Sequence, residues 1–92
     1  MGSGSRARPR LLKRKLRAIR ATLELSQTDL GIKLGHEKAV ARNYVSGYER
    51  GTREPTLPVL LAYARLIGIS TDVLIDDAMD WPSARPRRSG KK

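Results

Sequence analysis

Residues that begin or end helices recur along the whole chain, so each secondary-structure element must be short. In the first segment, four apolar residues follow one another at spacings of four, three and four, which is the stripe of an amphipathic helix. They are Leu12, Leu16, Ile19 and Leu23. Because Pro9 suits the first turn of a helix, the spacing predicts a first helix from about Pro9 to about Leu23.

Two further helices are predicted between Ser26 and Gly51. Ser26 can accept a hydrogen bond from an unpaired backbone N–H at a helix start, and Gly35 can adopt the left-handed conformation that ends a helix. Leu30 and Leu34 should then face the core. The third segment ends at Gly51, and its predicted inward residues are Val40, Tyr44 and Tyr48.

The last two helices follow a loop at residues 51–55, which contains a glycine and a proline. Thr56 can cap the fourth helix, Pro58 fits its first turn and Gly68 can end it, while Ser70 can cap a short fifth helix. The predicted inward residues are Leu57, Leu60, Leu61, Ala64 and Ile67, then Val73 and Leu74. With no strand pattern, these segments predict a compact all-α domain of five helices.

Positive charge is concentrated at the two ends of the chain. Eight of the 19 Lys and Arg lie in residues 1–20 and five in residues 82–92, and neither end contains an acid. The middle of the chain is net negative, although the whole chain carries +10. We expect a basic arm at 1–9, in which 2–5 have a linker composition, a folded domain at 10–77, and a segment at 78–92 with a disordered basic tail.

Basic ends around a nearly neutral body suit a polyanion such as DNA, because each Lys or Arg on a phosphate releases a condensed counterion. Solubility and attraction to a membrane surface are the alternative interpretations of this charge. No apolar run reaches the roughly 18 to 20 residues of a membrane span, and no segment near the N-terminus resembles a signal peptide.

The residue types present exclude several kinds of chemistry. The chain has no cysteine, which excludes disulfides and thiolate zinc sites and fits the cytoplasm, where we expect the protein at the nucleoid. His36 is the only histidine, and neither a metal site nor a catalytic relay is visible around it. We therefore expect no cofactor, no metal and no enzymatic activity, and we interpret His36 as a turn residue.

Two stretches are more specific: LRAIRATLELSQTDLGIKLG at residues 16–35 and YVSGYERGTREPTLPVLLAYARLIGIS at residues 44–70. The motifs Leu-Arg-x-x-Arg, Leu-Ser-Gln-x-x-Leu, Glu-Arg-Gly and Pro-Thr-Leu occur in this order. Together they resemble the lambda-repressor-like helix-turn-helix family, also called XRE or Cro-type regulators, from about Leu11 to Ile75. The resemblance implies a DNA-binding domain whose second helix straddles the DNA backbone and whose third helix enters the major groove.

The resemblance implies base contacts from the third helix. Alignment on the Glu-Arg-Gly motif places Arg42, Asn43 and Ser46 at the family's base-contacting positions. Arg can bond guanine and Asn can bond adenine, each with two hydrogen bonds, although Arg42 could also be a solvated surface charge. Gly47 matches another such position, which is either silent here or permits a close backbone approach.

The resemblance also implies contacts to the DNA backbone. Gln27 matches a glutamine that holds a phosphate beside backbone N–H groups at a helix start, and Thr28 is the neighbouring candidate. Arg53 matches a phosphate-contacting position after the third helix, with a free surface arginine as the other interpretation. Arg20 and Glu49 match an internal ion pair that ties the first helix to the third.

One segment departs from the family pattern. Between Gly35 and Glu49 the chain has about four residues more than usual, around residues 36–39, which is about one helical turn or 6 Å. The extra residues either extend the third helix at its start or lengthen the loop before it. In the longer loop, Lys38 could approach a phosphate. Ala41 stands where the family has a capping Ser or Thr, which favours the longer helix.

The chain ends share the strings Ala7-Arg8-Pro9-Arg10 and Ala84-Arg85-Pro86-Arg87. Arginines in an extended arm either enter a narrow minor groove or contact DNA through charge alone. The expected contacts of the N-terminal arm are Arg6, Arg8 and Arg10.

The resemblance implies a transcription regulator, expected to be a bacterial repressor, that binds double-stranded operator DNA as a homodimer. One reading helix contacts few base pairs, so two half-sites are needed. The predicted dimer contacts are Leu74, Ile75, Met79 and Trp81, although Trp81 could instead cover the domain's own core. The alternatives are an antitoxin-type module with a protein partner and a sequence-neutral nucleic-acid binder.

Overall fold

The computed structural model describes residues 9–82, and within this range every regular element is an α-helix. The helices are α1 (Leu12–Leu23), α2 (Gln27–Lys33), α3 (Lys38–Arg50), α4 (Leu57–Ile67) and α5 (Thr71–Ile75). The predicted all-α, five-helix fold is confirmed. No helix in the described range is long and apolar enough to cross a membrane. The predictions for Arg6, Arg8 and the tail at 83–92 lie outside the described residues.

The side-chain caps at the starts of α2, α4 and α5 form where the sequence predicts them. Ser26, Thr56 and Ser70 each accept a backbone N–H at the start of a helix through the side-chain oxygen. Gly51 and Gly68 end α3 and α4 with φ of 79° and 76°, a conformation that costs glycine little.

Helix α1 begins at Leu12 rather than near Pro9, after a turn at Arg10 and Leu11. The backbone N–H groups of Arg10 and Leu11 donate to the Asp77 carboxylate at 2.8 and 3.0 Å. These two bonds lower the pKa of Asp77 below its usual value, since they stabilise the ionised form. The chain therefore enters α1 through an irregular turn that the C-terminal segment holds.

The segment after α5 is fastened to α1 by a buried lysine. The Lys15 side chain is fully buried, and its ammonium donates to the backbone carbonyls of Val73, Asp76 and Met79 at 2.6, 3.1 and 2.6 Å. The three carbonyls replace the hydrogen bonds to water that the ammonium loses when it is buried. Trp81 packs against the core, so the packed body continues beyond residue 77, the predicted domain boundary.

The inward face of α3 differs from the predicted one. Val40 is exposed. Ala41 and Val45 are fully buried instead, and they lie on the same side of the helix as Tyr48, which is buried as predicted. Residues spaced by four and then three stay on one face of a helix. Residues spaced by four twice, as are Val40, Tyr44 and Tyr48, shift progressively around it. The buried stripe fixes which side chains of α3 point to solvent.

The predicted inward residues of α4 are confirmed at Leu60 and Ala64 but not at Leu57 and Leu61. Leu57 and Leu61, predicted to be inward, are 74% and 40% exposed, and neighbouring residues take their places. The α4 residues in the core are Val59, Leu60, Tyr63 and Ala64. Apolar residues occupy so many positions of α4 that spacing alone allows two stripes, and packing against α1 and α5 selects one.

Candidate nucleic-acid interface

Helices α2 and α3 form a closely packed helix-turn-helix. A Cβ added to Gly31 of α2 would lie 2.6 Å from both the Cβ and the carbonyl oxygen of Ala41 in α3, so the helices meet where a side chain is missing. The turn comprises residues 34–37, and Gly35 has a φ of 102°. Lys38 is exposed in the first turn of α3, so two of the extra residues 36–39 extend the start of the helix and the other two lie in the turn.

The outward face of α3 carries the predicted base-contacting residues. Arg42 and Asn43 are exposed and Ser46 is half-buried, all within an arc of about 100° around the helix axis. Asn43 and Ser46 line an open cleft together with Arg50, Thr52 and Arg53, and Arg42 lies beside it on the same side of α3. The structure therefore brings the predicted residues together on one face.

Arg50 is a residue of this face that the sequence pattern did not identify. Its Nε donates to the carbonyl oxygen of Ser46 at 3.4 Å, and its side chain is exposed in the cleft. The signal was its position four residues after Ser46 and seven after Asn43, which places it on the same face.

Gly47 lines the same cleft as Asn43 and Ser46 and is buried against the loop that follows α3. Its carbonyl oxygen accepts the backbone N–H groups of Thr52 and Arg53 at 3.0 and 3.2 Å. An added Cβ would lie 2.9 Å from the Cβ of Arg53. The segment that approaches the Gly47 backbone closely is the protein's own loop.

Arg53 is held in place although it is exposed. Its guanidinium carbon lies 4.2 Å from the ring centroid of Tyr44, a cation–π geometry. With its backbone docked on Gly47 and its side chain on Tyr44, Arg53 presents a fixed positive charge at the edge of the cleft. The other interpretation of the sequence, that Arg53 is a free surface arginine, does not account for its contact with Tyr44.

His36 joins the turn to α3. Its ring stacks on Tyr44 with centroids 4.2 Å apart and planes 3° from parallel, and its Nε2 lies 3.0 Å from the Tyr48 hydroxyl. Burial, and then the nearby positive charge of Arg53, lower the pKa of His36 below its usual value. His36 is a turn residue as expected, and it also supports the start of α3.

Glu49 lies at the centre of a polar network between α1, α2 and α3. It is 2% exposed, and the Arg20 guanidinium donates to its two oxygens at 2.7 and 3.1 Å. The Gln27 amide donates to the same carboxylate at 3.2 Å. The hydrogen bond to Glu49 raises the pKa of Arg20, so the pair stays charged. Arg20 and Glu49 are thus in contact, and the first residue of α2 is attached to the same pair.

The residues predicted to contact a second subunit are not equally accessible. Leu74 is fully buried in the core, so the expectation that it joins an intersubunit contact is wrong. Ile75 and Met79 are 41% and 40% exposed. Trp81 is half-buried and packs on the protein's own core, which favours the second of its two interpretations.

Comparison with known proteins agrees with this geometry. Residues 16–74 match the model of a helix-turn-helix family. The fold is similar to the crystal structure of the P22 c2 repressor protein in complex with a synthetic operator, with a TM-score of 0.61 and 29% sequence identity. The likeness covers 74% of this chain and 97% of that chain. No curated protein matches the chain. The chain therefore belongs to the lambda-repressor-like helix-turn-helix family.

Proposed function

We propose that this protein is a sequence-specific transcription regulator, acting as a repressor, that binds operator DNA as a homodimer. The observation that carries the proposal is the division of α3 into two faces. Val45 and Tyr48 anchor the helix in the core, while Arg42, Asn43 and Ser46 point outward from it. A rigid helix with short polar tips on one side fits the major groove, which is wide enough for one helix.

Each outward residue has a role that its chemistry suits. Arg42 would donate two hydrogen bonds to O6 and N7 of a guanine, and Asn43 would pair with N6 and N7 of an adenine. Ser46 is more buried than Arg42 and Asn43 and would contact a base or a phosphate with its hydroxyl. Such paired contacts distinguish one base from another by about 1–3 kcal/mol each.

Contacts to phosphates would fix the position of α3 on the duplex. Gln27 and Thr28 lie at the start of α2, and Lys38 at the start of α3 is exposed. Arg53 offers a fixed guanidinium beside the reading face. Arg6, Arg8 and Arg10 would add contacts from the N-terminal arm.

A homodimer would place two reading helices on one side of the duplex. Ile75, the last residue of α5, and Met79 are exposed and are the side chains proposed for the contact between subunits. Two copies of α3 about 34 Å apart would enter successive major grooves, and the operator would be close to a palindrome. The P22 c2 protein, which has a similar fold, is a repressor whose structure contains a synthetic operator, and this likeness supports the repressor role.

Selection of bound sites from random DNA by the full chain tests the proposal. We expect a palindromic site whose half-sites are about one helical turn apart. In the same selection, Arg42→Ala and Asn43→Ala should each relax the preference at one base position, with a loss of about 1–3 kcal/mol in binding. Arg65→Ala, in the exposed part of α4, is the control and should change nothing.

Three results would contradict the proposal. Absence of any enriched sequence would identify a sequence-neutral binder. An enriched site without symmetry would exclude the homodimer. A reporter gene placed after the selected site and expressed equally with and without the protein would exclude the repressor role.

A further inference from the structure

The extra residues that depart from the family pattern bring an aromatic ring to the helix-turn-helix. His36 is the first of them, and its backbone N–H donates to the carbonyl oxygen of Gly31 in α2 at 3.0 Å. The turn is therefore attached to α2 at the residue whose side chain reaches α3. The proposed base and phosphate contacts leave this side chain without a part in DNA binding.

The His36 ring contacts two side chains of α3. It stacks on Tyr44 with planes 3° from parallel, and its Nε2 lies 3.0 Å from the Tyr48 hydroxyl. Because Tyr48 is buried in the core, the hydrogen bond fixes the edge of the imidazole ring, and the stack fixes its face. Tyr44 is only half-buried, so part of the support for its ring comes from His36.

The Tyr44 ring also carries Arg53, whose guanidinium carbon lies 4.2 Å from the ring centroid. This cation–π contact requires that a face of the ring stay turned towards the guanidinium, so a Tyr44 side chain that changes rotamer loses it. The stacked imidazole opposes such a change, because aromatic rings at this distance attract each other.

The imidazole can lie close to Arg53 without repelling it. Burial, and then the charge of Arg53, lower the pKa of His36, so the ring is neutral at about pH 7. A lysine or arginine in the turn would bring a second positive charge to the same place. A neutral aromatic ring therefore suits this position better than a permanent cation does.

We propose that His36 is a positioning residue for DNA binding: it holds the Tyr44 ring, and Tyr44 holds the Arg53 guanidinium at the edge of the outward face of α3. His36 acts through these two side chains and makes no contact with DNA itself. Because it belongs to the residues added to the family pattern, this support is a feature of this chain. The inference rests on the proposed DNA binding by Arg53 and explains how that arginine is placed.

A double-mutant cycle on DNA binding by the full chain tests this inference, with the duplex selected from random DNA, at about pH 7.5. His36→Gln keeps a polar group for the Tyr48 hydroxyl but removes the stacked ring. We expect it to weaken binding by about two- to fivefold, the equivalent of one exposed cation–π contact. In an Arg53→Ala chain the same change should have almost no further effect, because the guanidinium that His36 positions is absent.

Two more variants complete the experiment. Lys33→Gln is the matched control, since Lys33 is exposed at the end of α2 before the same turn, and it should change binding by the same factor with and without Arg53. His36→Phe keeps an aromatic ring against Tyr44 but leaves the buried Tyr48 hydroxyl without its partner. It should bind DNA as the original chain does and unfold at a lower urea concentration.

The outcomes separate this inference from the proposed function. If His36→Gln weakens binding equally with and without Arg53, or not at all, His36 does not act through Arg53 and the inference is refuted, while base reading by Arg42 and Asn43 stands. Binding by His36→Phe that is as weak as that of His36→Gln refutes the role of the stacked ring. A chain that binds no duplex refutes the proposed function and the inference together.

Discussion

Replacing Gly47 with alanine sets two opposing effects against each other in α3. Alanine is a better helix former than glycine by about 0.8–1.0 kcal/mol, which favours the variant. Its Cβ, however, would lie 2.9 Å from the Cβ of Arg53. Ordinary carbon contacts lie at about 3.5–4.0 Å, so the loop must retreat by at least about 0.6 Å.

That retreat costs more than the helix gains. Overpacking of this kind costs about 1–3 kcal/mol. The two hydrogen bonds from Thr52 and Arg53 to the Gly47 carbonyl, each worth about 0.5–1.5 kcal/mol, lengthen as well. We expect Gly47→Ala to lower the free energy of unfolding by about 1–2 kcal/mol, and to weaken DNA binding further because Arg53 leaves Tyr44.

Urea unfolding and binding to the selected duplex are the assays, both made where the variant is fully folded. Ala39→Gly is the control, because Ala39 is exposed in the same helix and reports the propensity effect without the clash. A Gly47→Ala protein that is as stable as the original chain and binds DNA with the same salt dependence would refute the docking of the loop on Gly47.

Two further substitutions test the polar contacts behind the interface. Glu49→Ala should lower the free energy of unfolding by about 1–3 kcal/mol, because Arg20 loses two hydrogen bonds to a buried carboxylate while its own side chain stays 30% exposed. An unchanged free energy of unfolding in urea would contradict this. The pKa of His36 is lower in the folded chain than in the unfolded one. Its contribution to the free energy of unfolding is therefore complete above pH of about 6.5, and it is lost as the pH falls towards the pKa that His36 has in the folded chain. His36→Gln should flatten this part of the stability profile, and an unaltered profile would show that another group is responsible.

Local chemistry explains why most helix ends could be predicted from the sequence. The caps at Ser26, Thr56 and Ser70 use an oxygen two or three residues from the N–H that it accepts, so the signal lies within one turn. The start of α1 could not be found in this way. The turn before it is held by Asp77, which is close to Arg10 only after the chain has folded.

The helix faces were only partly predictable, for a different reason. In α3 and α4 apolar residues stand at adjacent positions, and more than one stripe satisfies helical spacing. Contact decides between them: Ala41 is selected in α3 because Gly31 of α2 lies directly against it. The exposed Leu57 and Leu61 of α4 show that an apolar position need not be an inward one.

The candidate site could also be predicted only in part, because some of its features depend on local sequence and others on contacts formed in the folded chain. The positions of Arg42, Asn43 and Ser46 followed from alignment on one motif, since a helix carries its register over several residues. The support for Arg53 did not, because Tyr44 and Gly47 meet it only when the loop turns back on α3. No periodic pattern connects residues across such a turn.

The consequence is that stability and recognition share the second half of α3. Val45, Tyr48 and Glu49 hold the helix from inside, and Ser46 and Arg50 alternate with them on the outside. Any change that rotates the helix to relieve an inner contact therefore moves the outer side chains by a similar angle. Recognition should for this reason be lost before the fold is lost, because base contacts require correct placement of individual atoms while the core tolerates small shifts at a cost of about 1–3 kcal/mol.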